Sequence, residues 1–132
     1  MRNDKFIEIR KSGIEGMGVF ASKDIKKGEM VYSFEKGKVV GVTDIQNIPE
    51  REKRYLDKVG EDEFEIIEQP ARYVNHSCDP NVVEKERVAY AIKDIKKGEE
   101  ITIDYDKIAY LEKPFECQCG SKNCRGLVRG RQ

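Results

Sequence analysis

The sequence predicts a mostly-β domain: several short strands in small sheets, with one or two short helices. Three observations carry this reading. Short runs with apolar residues at every second position recur along the chain. Turn residues punctuate those runs at regular intervals. Residues 48–60 carry the best helix signals, and no strand–helix–strand alternation appears.

At 132 residues the chain has the size of one domain. Charged and hydrophobic residues each make up 38%, which fits a modest core under a heavily charged surface. Lys+Arg and Asp+Glu number 25 each, so no bulk field points to nucleic acid or an anionic membrane, and neither is expected as a direct partner. No apolar run approaches the roughly 20 residues of a membrane-spanning helix. The first residues lack the apolar stretch of a secretory signal. An intracellular protein is expected, cytoplasmic in a prokaryote and nuclear or chromatin-associated in a eukaryote. The sequence does not reveal the oligomeric state.

Taken in order, residues 5–11 set Ile7 and Ile9 on one face against Glu8 and Arg10, an opening strand. Residues 12–18 hold Gly13, Gly16 and Gly18. Such a loop either turns a tight hairpin or lets backbone approach a ligand closely. Residues 19–21 resume the strand pattern. Ala21-Ser22-Lys23-Asp24-Ile25-Lys26-Lys27-Gly28-Glu29 then recurs seventy residues on as Ala91-Ile92-Lys93-Asp94-Ile95-Lys96-Lys97-Gly98-Glu99. Two copies are too few for a solenoid and suggest two similar strand–turn–strand corners, leading into strands 30–34 and 101–105.

Residues 38–42 form a further short strand. In 48–60, Pro49 suits a helix start, Gly60 a stop, and Tyr55, Leu56 and Val59 one apolar side. The acidic run 61–65 reads as solvated surface, with a basic partner as the alternative. Residues 82–84 and 87–92 form a strand pair around a charged turn. Periodicity ends near residue 107, which divides a domain of 5–107 from a cysteine-bearing tail of 108–132.

Four cysteines in a chain without a secretory signal favour metal or chemistry over disulfides. Cys117, Cys119 and Cys124 lie within eight residues, and Cys78 stands 39 residues before the first of them. Four thiols can close a tetrahedral structural zinc site, which leaves no position for a zinc-bound water. The alternative is four separate reduced thiols. A closed site would contribute on the order of 10 kcal/mol to the folded state. The only histidine, His76, directly follows Asn75 and stands two residues before Cys78. On spacing alone, Asn75 and His76 serve structure or chemistry equally well. Tyr105, at the end of a strand pattern, reads by itself as core packing with a wet hydroxyl.

Together and in this order, four motifs resemble the SET-domain family of protein lysine methyltransferases. They are Gly16-Met17-Gly18; Arg72-Tyr73-Val74-Asn75-His76-Ser77-Cys78; Gly98-Glu99-Glu100-Ile101-Thr102-Ile103-Asp104-Tyr105; and Cys117-Gln118-Cys119 with Cys124-Arg125-Gly126. The resemblance covers about residues 5 to 128, as a SET core with a post-SET zinc-binding tail. It implies a β-clip fold in which 72–78 and 98–105 cross in a knot-like arrangement. It implies that Gly16, Met17 and Gly18 hold S-adenosylmethionine with Asn75 and His76, and that Phe115, Gln118 and Leu127 lie near it. It implies one zinc on Cys78, Cys117, Cys119 and Cys124, with Tyr105 as catalytic tyrosine and Ile103 beside it in the substrate pocket. A lysine-bearing protein, histone-like or otherwise basic, is the implied partner.

Two departures stand out. Where the family carries Tyr-x-Gly, this chain reads Phe34-Glu35-Lys36-Gly37, with the nearest tyrosine at Tyr32. Two residues before Tyr105 the family tends to have Phe or Tyr, and this chain has Ile103. Without a hydroxyl there, a methylated amine can still turn, so di- or trimethylation is expected. The competing functional classes are a SET-like module that binds a basic peptide without turnover, and a small zinc protein without cofactor.

Overall fold

The repeated nine-residue unit builds the centre of the molecule. The computed structural model describes residues 6–14, 16–105, 115–116, 122 and 124–128. Within these the two copies embrace. Ile25 and Ile95 exchange both backbone hydrogen bonds at 2.7 Å. The Lys27 N–H donates to the Asp94 carboxylate and the Lys97 N–H to that of Asp24, both at 2.9 Å. Each turn is also closed by its own glutamate, Glu29 on the Lys26 N–H and Glu99 on the Lys96 N–H. Gly28 and Gly98 sit at φ 92° and 90°, a conformation that only glycine adopts without strain. The two corners are therefore a matched pair, with Ile25 and Ile95 each 1% exposed between them.

Among the described residues the strands form four small sheets. Strands β1 (Ile7–Lys11) and β2 (Met17–Ala21) form a hairpin. Strand β2 continues through β10 (Glu100–Ile103) to the two-residue β7 (Asn75–His76). A second sheet runs β3 (Met30–Ser33), β9 (Val88–Ala91), β8 (Val82–Lys85). A third runs β4 (Val39–Gly41), β6 (Glu63–Ile66), β5 (Leu56–Lys58). Strands β11 (Phe115–Glu116) and β12 (Leu127–Val128) pair separately. Val19, Val31, Ile101 and Ala89 are fully buried where the first two sheets meet. Strand β7 lies parallel to β10, Asn75 opposite Thr102 and His76 opposite Ile103. The two stretches that the resemblance brings together are thus direct neighbours.

The helix expected over 48–60 is much shorter. Only α1 (Glu50–Lys53) is helical, and residues 56–58 are an edge strand, Leu56 opposite Ile66. A 13-residue helix with three apolar side chains is marginal in water, whereas pairing with β6 gives residues 56–58 a full ladder. The short helix accompanies two 3₁₀ turns, Val42–Asn47 and Ala71–Tyr73. The acidic run is not wholly solvated. Glu65 is 1% exposed, accepts a bidentate pair from Arg87 at 2.6 and 2.7 Å, and accepts the Gly37 N–H at 2.9 Å. Its basic partner lies within the chain. Ile9 also departs from expectation, being 36% exposed on the edge strand β1 while Ile7 is buried.

Candidate active site

The site starts from the parallel pair β7–β10. Residue 75 needs a polar side chain that can bridge strands, and Asn75 does so. Its amide donates to the Met17 carbonyl at 3.1 Å and to Glu100 at 2.9 Å. Glu100 also accepts the Ser12 hydroxyl at 2.8 and 2.9 Å. One carboxylate thereby ties the glycine loop, β10 and β7. Gly16 has a positive φ of 43° and open space where a side chain would begin. At Gly18 the opposite holds: an added Cβ would run into the Glu100 carboxylate and the Ser12 Cβ. The loop is a tight hairpin, closed by the Ser12 N–H on the Gly16 carbonyl at 2.8 Å, whose rim is left open at Gly16.

His76 is 4% exposed. Its Nδ1 accepts the Tyr105 N–H at 3.0 Å, so in this arrangement the ring carries its hydrogen on Nε2, 3.4 Å from the Cys78 sulfur. The 3.8 Å approach of Nδ1 to Asp104 is therefore not an ion pair. The Tyr105 ring lies 5.4 Å from the imidazole, and its hydroxyl donates to the Val74 carbonyl at 2.6 Å. Burial pushes the Tyr105 phenol well above its ordinary range; Arg54 opposes this, while Glu84, Tyr55 and Glu100 add to it. A phenol so held stays neutral near pH 7. It serves as a fixed dipole and donor, not as a base.

Tyr105 and Ile103 form part of the wall of a cavity of about 420 Å³, completed by Phe34, Tyr55, Ile67 and Val74. Arg72 braces this wall: it donates to the Ile67 carbonyl and to Glu52, both at 2.9 Å, and stacks 4.5 Å over Tyr55. Tyr55 in turn meets Tyr73 edge-on at 5.9 Å. Phe34 lines the cavity, while Tyr32 is fully buried and reaches it only through its partner Glu84, to which it donates at 2.6 Å. Asp57, Glu65, Glu84 and Glu86 also line this cavity, as do Arg54 and Arg87.

Below His76, the Cys78 sulfur receives the Arg125 backbone N–H at 3.3 Å and its side-chain Nε at 3.4 Å. The Arg125 guanidinium also pairs with Asp104 at 2.7 Å. Cys124, the neighbour of Arg125, is thus brought near Cys78.

The SET-domain family model matches residues 16–106. This chain belongs to the SET-domain family. It is 33% identical over 140 residues to the histone-lysine N-methyltransferase trithorax of Drosophila virilis, covering 91% of the chain and 4% of that protein. Over 146 residues it is 35% identical to the histone-lysine N-methyltransferase set-2 of Caenorhabditis elegans, covering 94% of the chain and 9% of that protein. The chain therefore spans less than a tenth of the length of these relatives. Among solved structures, KRYPTONITE in complex with mCHG DNA and SAH matches with a TM-score of 0.68 at 26% identity, over 94% of this chain and 29% of that one.

In this SET domain, Gly16, Met17, Gly18, Asn75 and His76 come together around β7, and Ile103 and Tyr105 share the cavity. Leu127 is half-buried in β12, opposite Glu116. Phe115 lies in β11, and Cys117, Gln118 and Cys119 lie outside the described residues. No group of three or more metal-ligating side chains occurs among the described residues. The surroundings of Cys78 nevertheless suit zinc: N–H groups of His76 and Arg125 approach its sulfur at 3.3–3.4 Å, the kind of outer partners that support a metal-binding cysteine. An open Gly16 rim beside buried Asn75 and His76 likewise suits a polar cofactor. Sequence reasoning missed Glu100 and Glu84. Glu100 lies within a quoted motif, but its role depends on bonds to positions 12 and 75. Nothing local marks Glu84.

Proposed function

We propose that this SET domain transfers a methyl group from S-adenosylmethionine to the side-chain amine of lysine in a protein, the substrate being a histone or another basic protein. The observation that carries the reading is the cavity walled by Tyr105, Ile103 and Val74, with Asn75 next to Val74 in the chain and His76 paired with Ile103 and bonded to the Tyr105 backbone. The relatives named as histone-lysine N-methyltransferases support it, as does the neighbour solved with SAH. Nuclear or chromatin action follows if the host is eukaryotic.

Gly16, Met17 and Gly18, Asn75 and His76 hold the cofactor, with Gln118, Phe115 and Leu127 contributing from the tail. The bound cofactor supplies an electrophilic sulfonium methyl, so the protein's task is orientation. The lysine amine must be neutral to attack, yet near pH 7 only about one in a few thousand is. The apolar part of the cavity wall, formed by Phe34, Ile67, Val74 and Ile103, disfavours the ammonium by desolvation. Tyr105, fixed by its bond to the Val74 carbonyl, orients the amine and keeps water out. Cys78, Cys117, Cys119 and Cys124 hold one structural zinc that ties the tail to the segment bearing His76.

Isothermal titration with S-adenosylmethionine, followed by labelled-methyl transfer to a whole-cell lysate, tests the proposal. Saturable binding and label on lysine are expected. Binding without transfer to any basic protein would leave a peptide-binding module, and no binding would leave a zinc protein alone.

A further inference from the structure

Among the carboxylates that line the cavity, Glu84 differs from Glu65. Glu65 is neutralised by the bidentate Arg87. Glu84 has a neutral hydrogen-bond partner, the Tyr32 hydroxyl, at 2.6 Å to Oε2. Glu84 lines the cavity, and no sealed side-chain oxygen among the described residues lacks a partner, so Oε1, which takes no part in the Tyr32 bond, is not sealed off. The arrangement is built by the sheet. Tyr32, Ala89 and Glu84 occupy one rung across β3, β9 and β8. The two outer positions are roughly 9.6 Å apart, two strand spacings. Ala89 between them is fully buried and small enough for the Tyr32 ring, itself fully buried, to reach across it.

We propose that Glu84 is a further catalytic residue of this pocket: its Oε1 receives the ammonium head of the substrate lysine and takes one proton from it. The proposal rests on reading the cavity as the lysine channel. In the step, one ammonium N–H bond breaks and an Oε1–H bond forms. The electron pair stays on nitrogen. An ion pair becomes a neutral amine and a neutral acid, which suits the apolar stretch of wall at Ile67, Val74 and Ile103 better than two charges do. No oxidant or co-reactant is needed, and the acid returns its proton to solvent after the methylated product leaves.

Burial holds the Glu84 carboxyl above its ordinary range. The Tyr32 bond opposes this, Asp57 adds to it, and Arg87 opposes it. Tyr105 lines the same cavity, and its phenol stays protonated and does not compete for the proton; Arg54, Arg72 and Glu86 are the other charged residues of the lining, beside the Glu65–Arg87 pair and Asp57. Glu84 also gives the pocket the polar acceptor that Ile103 cannot, so the number of methyls added depends on Glu84 as well as on residue 103.

Glu84→Gln keeps an acceptor for Tyr32 and removes the proton acceptor. Two measurements separate this proposal from the methyltransferase reading. First, n-butylammonium is titrated into carboxyl-¹³C-labelled protein while the Glu84 resonance, assigned by its loss in Glu84→Gln, is followed. A saturable shift is expected; no shift overturns the proposal, whatever the enzyme does. Second, methyl transfer to mixed histones is measured from pH 7 to 10. The variant is expected to be about 10²-fold slower at pH 7.5 and to recover towards pH 10, as solution supplies neutral amine. A variant with the wild-type rate and pH profile overturns the proposed proton transfer. A butylammonium shift with no transfer by the wild type leaves Glu84 as an ammonium-binding site and removes the methyltransferase reading instead.

Discussion

At the scale of single residues, the burial of polar groups decides most of the chemistry. Glu84 illustrates it. Its folded-state carboxyl holds a proton more tightly than an exposed glutamate. The stability from that protonated form is complete below the unfolded value and disappears as pH rises through the folded one. Glutamine is neutral throughout. Glu84→Gln is therefore expected to match the wild type in thermal denaturation near pH 4 and to exceed it at pH 8. Equal melting temperatures at both pH values would contradict the burial of an uncompensated carboxylate.

Gly18 supplies the other residue-scale test. An alanine there would meet Glu100 and Ser12, the two groups that hold the glycine loop to Asn75. Gly18→Ala is expected to cost about 1–3 kcal/mol and to weaken S-adenosylmethionine binding by calorimetry, whereas unchanged affinity would remove the loop from the cofactor site. The glycine motif was visible in the sequence. The bridging role of Glu100 was not, because its partners at residues 12 and 75 come from distant parts of the chain.

At the scale of elements, legibility followed the range of the forces. The twin Lys-Lys-Gly corners were readable because each turn is closed locally, by Glu29 or Glu99 and by a glycine at positive φ. That they embrace one another was not, since Asp24 and Asp94 cap each other's turns across 70 residues. Residues 54–60 misled because helix punctuation was present but the edge of β6 offered better pairing. Glu65 looked like one of several surface acids. It instead holds Arg87 in a tight hairpin where Glu86 and Arg87 both have positive φ, 50° and 67°, without a glycine or asparagine. Glu65→Gln breaks the charged pair and is expected to cost about 3 kcal/mol in denaturant unfolding. A loss below about 0.5 kcal/mol would place the stability of this hairpin elsewhere.

At the scale of the whole molecule, one short span joins the glycine loop, the pocket and the tail. Asn75 reaches the glycine loop, His76 holds the Tyr105 backbone, and Cys78 meets Arg125. Zinc and cofactor binding should then be coupled. Removing zinc with a chelator, or by Cys124→Ser, is expected to weaken S-adenosylmethionine binding at least about tenfold, a coupling of about 1.4 kcal/mol. Metal analysis showing one zinc in both wild type and variant would contradict the four-thiol site. The central claim is that the Tyr105 cavity is where a lysine amine is methylated. Its most direct test is mass spectrometry of histone lysines after incubation with deuterated-methyl S-adenosylmethionine, comparing the wild type with Tyr105→Phe. The account predicts labelled lysine with the wild type and at least about 10²-fold less with the variant, at similar cofactor affinity. Equal labelling by the two proteins, or none by the wild type, would contradict it.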